Sequence, residues 1–293
     1  GTPAPRPATT MDPQQQLDAA MRHETIRDLL LFGPSGIRIV LLGPPSNGNP
    51  TWSLLQDDIG LGDLKNVEAI APVDWESDGD LDLAILADGR IHLRQNLGNR
   101  KFQNVDAVSL LPEESRRVTG ITVVDLDRDV DLDIVVALQD GLGLLENIQH
   151  GQFRFRPLFA EGPHPPILGT NSIAVADFNN DHSWDILIGS LQAKGNDKDS
   201  LPQIHFTATD FDSPIRLLKQ SSLFKQPAKV IPVDWNNDSL VDVLASTPEG
   251  IEISLNQGDG QLSSTTLASS PQTEGGLANL SLGDVDEIGR AHV

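Results

Sequence analysis

The chain has 293 residues with 42 acidic and 21 basic side chains, giving a formal net charge of −21. It contains no Cys, which excludes disulfides, thiol catalysis and zinc–thiolate sites. The strong acidity argues against nucleic acid and anionic membranes as partners. No apolar run of about 18 residues is present, so the sequence predicts no membrane insertion.

The chain opens on a Pro/Thr-rich segment, GTPAPRPATT. Such composition is typical of a linker, and no signal peptide is visible. We expect the true N-terminus to be missing. Residues 1–23 are expected to be a linker or the degenerate start of the first of the repeated units described below.

One acidic motif recurs along the chain and dominates the sequence. It reads DWESDGDLD at 74–82 (loop 1), DLDRDVDLD at 125–133 (loop 2), DFNNDHSWD at 177–185 (loop 3) and DWNNDSLVD at 234–242 (loop 4). A fifth copy begins at Asp284, so the first Asp recurs after 51, 52, 57 and 50 residues. Self-similarity at such a period is the signature of a repeat architecture.

Short apolar stretches flank each loop, and turn signals such as Asp88-Gly89 follow. Three copies of the repeat end in an Asn- and Gly-rich segment, at 96–102, 147–153 and 256–262. Short apolar stretches separated by turn residues indicate antiparallel strands. Four strands in each repeat of roughly 50 residues predict an all-β fold, namely a β-propeller of four-stranded blades. A β-helix would need about half this period, and an immunoglobulin-like array about twice it.

We predict about five blades and a sixth just begun. The predicted blades lie at about 24–66, 67–114, 115–167, 168–225 and 226–276. The first is the weakest, because only DLLLFGPSGIRIVLL at 28–42 matches the second and third strands of later copies. The blade at 168–225 lacks the Asn- and Gly-rich segment at its end and carries a polar insertion, QAKGNDKDS at 192–200.

The loops follow the spacing D-x-[DNE]-x-D-x-x-x-D, which brings oxygen ligands to one point. Positions one, three and five supply side-chain oxygens, position seven a carbonyl and position nine a carboxylate from the outgoing strand. Several hard oxygens at flexible geometry favour Ca²⁺ over Mg²⁺ or zinc. The loops hold 16 of the 42 acids and, with Arg128 subtracted, −15 of the −21. A bound cation would relieve that repulsion; the alternative is metal-free turns closed by Asx hydrogen bonds.

Position six is where the four loops differ most. A loop of this type usually needs positive φ there, and only loop 1 provides a glycine, Gly79. Val130 in loop 2 is costly at positive φ because it is β-branched, whereas loops 3 and 4 have His182 and Ser239. We therefore rank loop 2 mildly below the others. Position two is apolar in every loop, which favours packing between blades over sugar stacking by its Trp residues.

These motifs resemble the FG-GAP/VCBS repeat family, the propeller repeat also found in integrin alpha chains, over residues 24–286. The resemblance implies a calcium site in each loop. The implied ligands of loops 1 and 2 are Asp74, Glu76, Asp78, Asp80 (carbonyl), Asp82, Asp125, Asp127, Asp129, Asp131 (carbonyl) and Asp133. Those of loops 3 and 4 are Asp177, Asn179, Asp181, Ser183 (carbonyl), Asp185, Asp234, Asn236, Asp238, Leu240 (carbonyl) and Asp242.

The family is usually secreted or attached to the cell envelope, so an extracellular location is expected. Its propellers are often seven-bladed, so the resemblance implies that the predicted blades belong to an incomplete seven-bladed ring. The last seven residues, EIGRAHV at 287–293, break the repeat and look like the translation of a sequencing-library adapter. We expect them to be non-native and exclude them from the fold.

Two functions remain open at this point. The first is a non-enzymatic, calcium-stabilised scaffold for cell adhesion or recognition, which binds a protein or glycan through loops at one end. The second is a lyase-like enzyme acting on polysaccharide, since related calcium propellers host that chemistry. The sequence offers no catalytic motif, and the absence of Tyr with few His favours the first.

Overall fold

The computed structural model describes residues 29–46, 49–55, 58–98, 100–107, 110–113, 117–138, 141–158, 170–190, 204–208, 216–221, 229–247, 250–258 and 262–269. The linker at 1–23, the insertion at 192–200, the copy begun at Asp284 and the tail at 287–293 lie outside these residues. Within them, every strand belongs to one of five antiparallel sheets.

The first sheet has three strands and each of the others has four, in chain order across the sheet. The first two sheets consist of β1 (Leu29–Gly33), β2 (Gly36–Ser46) and β3 (Asn49–Leu54), then β4 (Val67–Val73), β5 (Asp82–Ala87), β6 (Arg90–Asn96) and β7 (Phe102–Val105). The third consists of β8 (Val118–Val124), β9 (Asp133–Leu138), β10 (Gly141–Asn147) and β11 (Phe153–Pro157). The fourth and fifth consist of β12 (Thr170–Ala176), β13 (Asp185–Ser190), β14 (Ile204–Ala208) and β15 (Arg216–Ser221), then β16 (Lys229–Val233), β17 (Asp242–Thr247), β18 (Gly250–Asn256) and β19 (Leu262–Ser269).

The sheets are arranged as a propeller. The first strands contact one another in chain order, β4 with β8, β8 with β12 and β12 with β16, so they line the side on which the sheets converge. The predicted all-β propeller of antiparallel blades is therefore confirmed. The described part of the fold comprises four complete sheets and the three-stranded first sheet.

The core lies between successive sheets rather than within one shared interior. Separate clusters of buried side chains fill the junctions between the first and second, second and third, third and fourth, and fourth and fifth sheets. The second strand of a four-stranded sheet is covered on both faces, and in β5, β9 and β17 every residue is buried. This explains the continuous apolar runs LAIL and IVVAL, because a strand buried on both faces needs no polar alternation.

Hairpin turns fix the register of each sheet. The predicted turn at Asp88-Gly89 joins β5 to β6, with Ala87 paired to Arg90. Both turn residues have positive φ, 51° and 66°, as the favoured two-residue hairpin turn requires. Each acidic loop joins the first strand of its sheet to the second, so loops 1 to 4 lie at the same end of the propeller, which we call the loop rim.

Candidate metal centre

A shared hydrogen-bond pattern builds each acidic loop around the Asp at position one. In loop 1 the backbone N–H groups of Asp78 and Gly79 donate to the two carboxylate oxygens of Asp74, at 3.1 and 2.9 Å. The same two bonds recur on the first Asp of loops 2, 3 and 4, at 2.8–3.1 Å. The N–H of position seven then donates to the Asp at position five in every loop.

The backbone conformation explains why the chain can close so tightly. Position six has positive φ in all four loops, as predicted: Gly79 91°, Val130 84°, His182 68° and Ser239 70°. Position four also has positive φ in every loop, at 59–63°, which the sequence analysis missed. Its occupants are Ser77, Arg128, Asn180 and Asn237. The two Asn residues carry a signal for this conformation, whereas Ser and Arg do not.

The Asp at position nine lies beneath each loop, at the start of a buried strand. It is at most 1 % exposed in all four loops. Its Oδ2 accepts a hydrogen bond from the N–H of position two, at 2.9–3.3 Å. In loops 1, 2 and 4 its Oδ1 accepts a second bond, at 2.7–2.8 Å, from the N–H of the Asn that ends the third strand. We call these residues, Asn96, Asn147 and Asn256, the closing Asn residues.

Loop 3 shows no such second bond among the described residues. Oδ2 of Asp185 accepts the N–H of Phe178, whereas its Oδ1 is buried and has no partner among the described residues. The position after β14 that corresponds to the closing Asn lies outside those residues. A buried polar atom without a partner is uncommon and calls for an explanation, such as an ion.

Burial sets the protonation of the position-nine carboxyls. It raises the pKa of Asp82 to about 6, that of Asp133 to about 7 and that of Asp185 to about 6, since the charged form loses hydration. Backbone N–H donors partly oppose this effect, and neighbouring loop carboxylates add to it. The pKa of Asp127 is raised too, first by burial and then by contact with Asp129. A nearby cation would favour the charged forms of all four.

The predicted ligands are not equally assembled. In loop 2 the carboxylate oxygens of Asp125, Asp127 and Asp133 lie within 4.8 Å of one another. In loop 1 the carboxylate of Glu76 instead accepts hydrogen bonds from Gln95, at 2.6 Å. In loops 3 and 4 the position-three side chains, Asn179 and Asn236, donate to the Asp at position five. The candidate metal ligands are hard oxygen atoms in every loop, so the residues of these loops fit a cation of the calcium type.

Position-two side chains pack between sheets, with one exception. Trp75, Leu126 and Phe178 are buried at 1–4 % exposure, and Trp75 meets Phe153 of the next sheet edge-on at 5.7 Å between ring centroids. Trp235 is 49 % exposed. Loops 1 to 3 are each followed by a described sheet that covers this side chain, whereas loop 4 is followed by no further described sheet.

Arg94, a cationic side chain on the second sheet, forms bonds that hold neighbouring segments of the fold together. Buried Arg94 binds Asp63 at 2.6 Å and also donates to Asn104, which ties β6 to the segment before β4 and to β7. His92 lies on the same strand, half-buried, and its pKa is lowered first by burial and then by Arg94.

The fold and its loops define a class of protein: a β-propeller built from sheets that share an acidic, oxygen-rich loop between the first and second strands. The FG-GAP-like repeat family matches residues 74–136 and 234–290, which include loops 1, 2 and 4. Two parts of the chain thus match the FG-GAP-like repeat family, as the sequence resemblance predicted.

Two solved structures are similar to this chain to different degrees, and the first of them supports the fold. A lectin of Agrocybe aegerita, described as recognising non-reducing terminal N-acetylglucosamine, is similar at 15 % identity and a TM-score of 0.53. The similarity covers 83 % of this chain and 63 % of the lectin chain. The Tc holotoxin pore of Photorhabdus luminescens is similar at 16 % identity and a TM-score of 0.45, over 85 % of this chain and 12 % of that one. A comparison with curated proteins gave no match. No helix in the described part of the chain is long and apolar enough to cross a membrane.

Proposed function

We propose that this protein is a calcium-binding propeller scaffold whose loops 1 to 4 each hold one Ca²⁺. The observation that carries the proposal is the convergence in loop 2 of three carboxylates, those of Asp125, Asp127 and Asp133, within 4.8 Å. Like charges held so close repel each other strongly unless a cation lies among them or they bind protons. The same loop pattern recurs four times, which a single acidic turn would not explain.

Two further observations support a hard divalent cation. Oδ1 of buried Asp185 gives loop 3 an oxygen that no donor among the described residues satisfies. The implied donor set contains carboxylates, amide oxygens and carbonyls but no imidazole or thiolate, and such a set suits calcium rather than zinc.

Calcium removal tests this assignment. A ligand that binds only the folded state stabilises it by about 2.7 kcal/mol per site at a concentration 100-fold above its Kd. At about 2–4 °C per kcal/mol for a protein approaching this size, even one occupied site raises the Tm by about 5–10 °C. We expect that rise between chelator and millimolar calcium, with a smaller one in magnesium, and up to four calcium ions per chain by calorimetry. An unchanged Tm in calcium would refute the proposal.

We further propose that the scaffold is not an enzyme and that it binds a protein or glycan through the loop rim, outside the cell or at its envelope. Support comes from the placement of four exposed loops at one end of a rigid set of sheets, which is typical of binding surfaces. The lectin with this fold makes glycans a reasonable first ligand class to screen, although the similarity itself concerns only the fold.

A glycan array probed in calcium and again in chelator tests the binding proposal. Calcium-dependent retention is expected, and it should weaken in an Asp129→Ala variant, in which loop 2 loses its position-five carboxylate. Incubating retained polysaccharides with the protein distinguishes the alternative function, since a lyase-like enzyme would shorten them whereas a scaffold leaves their length unchanged.

A further inference from the structure

We propose that neighbouring loops of the rim bind calcium cooperatively, and that Asn147 is the positioning residue that couples loop 1 to loop 2. The proposal rests on the proposed function, because it presupposes calcium in both loops. It goes further by making the loops one linked array instead of four independent sites.

A short chain of buried hydrogen bonds joins the two loops. The N–H of Asn147 donates to Oδ1 of Asp133, the position-nine carboxylate of loop 2, at 2.8 Å. The side-chain Nδ2 of Asn147 donates to the carbonyl oxygen of Trp75 in loop 1, 72 residues earlier, at 2.9 Å. The N–H of Trp75 in turn donates to Oδ2 of Asp82, the position-nine carboxylate of loop 1. One residue therefore contacts a ligand of loop 2 and the peptide between two ligands of loop 1.

This connection is buried and closely packed. Asp133 and Asn147 are 0 % exposed, Asp82 1 % and Trp75 2 %. Gly151, whose N–H donates to Oδ1 of Asn147, lies so close to the indole that a Cβ there would meet Trp75 Cδ1 at 2.9 Å. Packing this dense transmits small displacements instead of absorbing them.

A second tie joins the same two parts of the rim at the surface. Exposed His150, in the closing turn of the third sheet, makes a hydrogen bond through Nδ1 to the carbonyl oxygen of Glu76 in loop 1, at 3.0 Å. The carbonyl oxygens of Trp75 and Glu76 are thus both held by the sheet that carries loop 2.

The remaining loops are tied in equivalent ways. Asn256 donates to the carbonyl oxygen of Phe178, which links loop 4 to loop 3 at 2.7 Å. The fourth sheet has no closing Asn, and there the indole N–H of Trp184, at position eight of loop 3, donates to the carbonyl oxygen of Asp125 in loop 2 at 2.9 Å. The connection is therefore kept even where the repeat has lost its usual residue, which a purely local role in the turn would not require.

Asn96 provides a matched control within the chain. Its N–H donates to Asp82 and its Oδ1 accepts from Gly98, as expected of a closing Asn. Its Nδ2, however, donates to the carbonyl oxygen of Leu81 in its own loop. Substituting Asn96 thus removes the side-chain bonds of the closing turn without removing a bond to another described loop.

Calcium in loop 1 fixes the Trp75 peptide, and through Asn147 it also fixes the carboxylate that loop 2 needs. The second ion then binds a site that is already ordered, which makes binding cooperative. Couplings between linked sites are typically about 5–150-fold in affinity, and we expect the lower end of that range for loops that are largely built before metal binds.

The test is a calorimetric calcium titration of the full chain with loops 3 and 4 disabled by Asp181→Ala and Asp238→Ala. Two ions should bind, the second about fivefold more tightly than independent sites would allow. With Asn147→Ala added, two ions should bind with most of the coupling lost, because only the surface tie through His150 then remains. With Asn96→Ala added instead, the coupling should persist, which separates positioning from a general loss of order.

Because Asn147 is buried, its variant has to be shown folded by circular dichroism, and an exposed substitution provides a second measurement. His150→Ala removes only the surface tie and should reduce the coupling, while Asp78→Ala should weaken calcium binding in the intact loop 2 about fivefold. Independent binding in the chain with both ties intact, or loop 2 unaffected by Asp78→Ala, overturns the cooperative array and leaves calcium binding standing. A chain that takes up no calcium overturns both.

Discussion

Val130 is the residue at which loop 2 conflicts most clearly with its own backbone. It holds φ at 84° in a position where loop 1 has a glycine at 91°. Its side chain is 83 % exposed and so contributes little packing, and its N–H donates to Oδ2 of Asp125 at 3.1 Å, a bond that glycine would keep. We predict that Val130→Gly stabilises the protein.

The size of the effect follows from two opposing contributions. A left-handed conformation costs an L-residue about 1–2 kcal/mol, and Val lies toward the upper end because it is branched at Cβ. Glycine has greater freedom in the unfolded chain, which offsets about 0.5–1 kcal/mol of the gain. The expected net increase in the free energy of unfolding is therefore about 1 kcal/mol, or about 2 °C in Tm.

Urea unfolding in the presence of chelator measures this value without a contribution from metal. The reverse substitution, Gly79→Val in loop 1, is the matched control: a Cβ at Gly79 meets no atom within 4 Å, so its cost is conformational alone. It should destabilise by about the amount that Val130→Gly gains. Equal urea midpoints for Val130→Gly and the unsubstituted protein, together with a neutral Gly79→Val, would show that position six is not strained.

Two further comparisons use matched positions within the chain. In chelator, Asp133→Asn should lower the free energy of unfolding by about 1–3 kcal/mol more than Asp185→Asn, because both oxygens of Asp133 accept N–H groups whereas Oδ1 of Asp185 accepts none from a described residue; equal losses in urea unfolding would contradict this. Gly151→Ala should lower the Tm more than Gly258→Ala, since both glycines have positive φ but only the first would bring a Cβ against Trp75. Thermal melts of the two variants decide, and a larger loss for Gly258→Ala would disprove the steric reason.

Local chemistry made much of the fold predictable. The spacing of the loops and the Asp88-Gly89 turn were enough to place strands, because hairpin turns and strands buried on both faces leave local signatures in residue type. Positive φ at position six could be inferred for Val130, His182 and Ser239 because one copy of the repeat carries Gly79 there.

Long-range contacts could not be predicted in the same way. The closing Asn can be recognised in the sequence because it recurs in three repeats. The bond from one of these residues, Asn147, to Trp75 nevertheless joins residues 72 apart in the chain. Which atom it reaches depends on the placement of one sheet against the next. The pairing of Glu76 with Gln95 has the same origin, since only the register of the sheet brings a third-strand side chain beneath the loop.

The geometry separates what the loop needs to fold from what it needs to bind metal. Position one receives two backbone N–H groups and position nine receives the N–H of position two in every loop, so both carboxylates are required before any cation arrives. Position three differs between the loops: it is Glu76 held by Gln95 in loop 1, whereas in loops 2, 3 and 4 its side-chain oxygen accepts the N–H of position five. Each carboxylate oxygen can accept a second interaction, so the folding bonds leave room for a cation. Under the proposed function, position three, whose contacts differ between loops, is where a substitution would change calcium affinity and leave the bonds of positions one and nine in place.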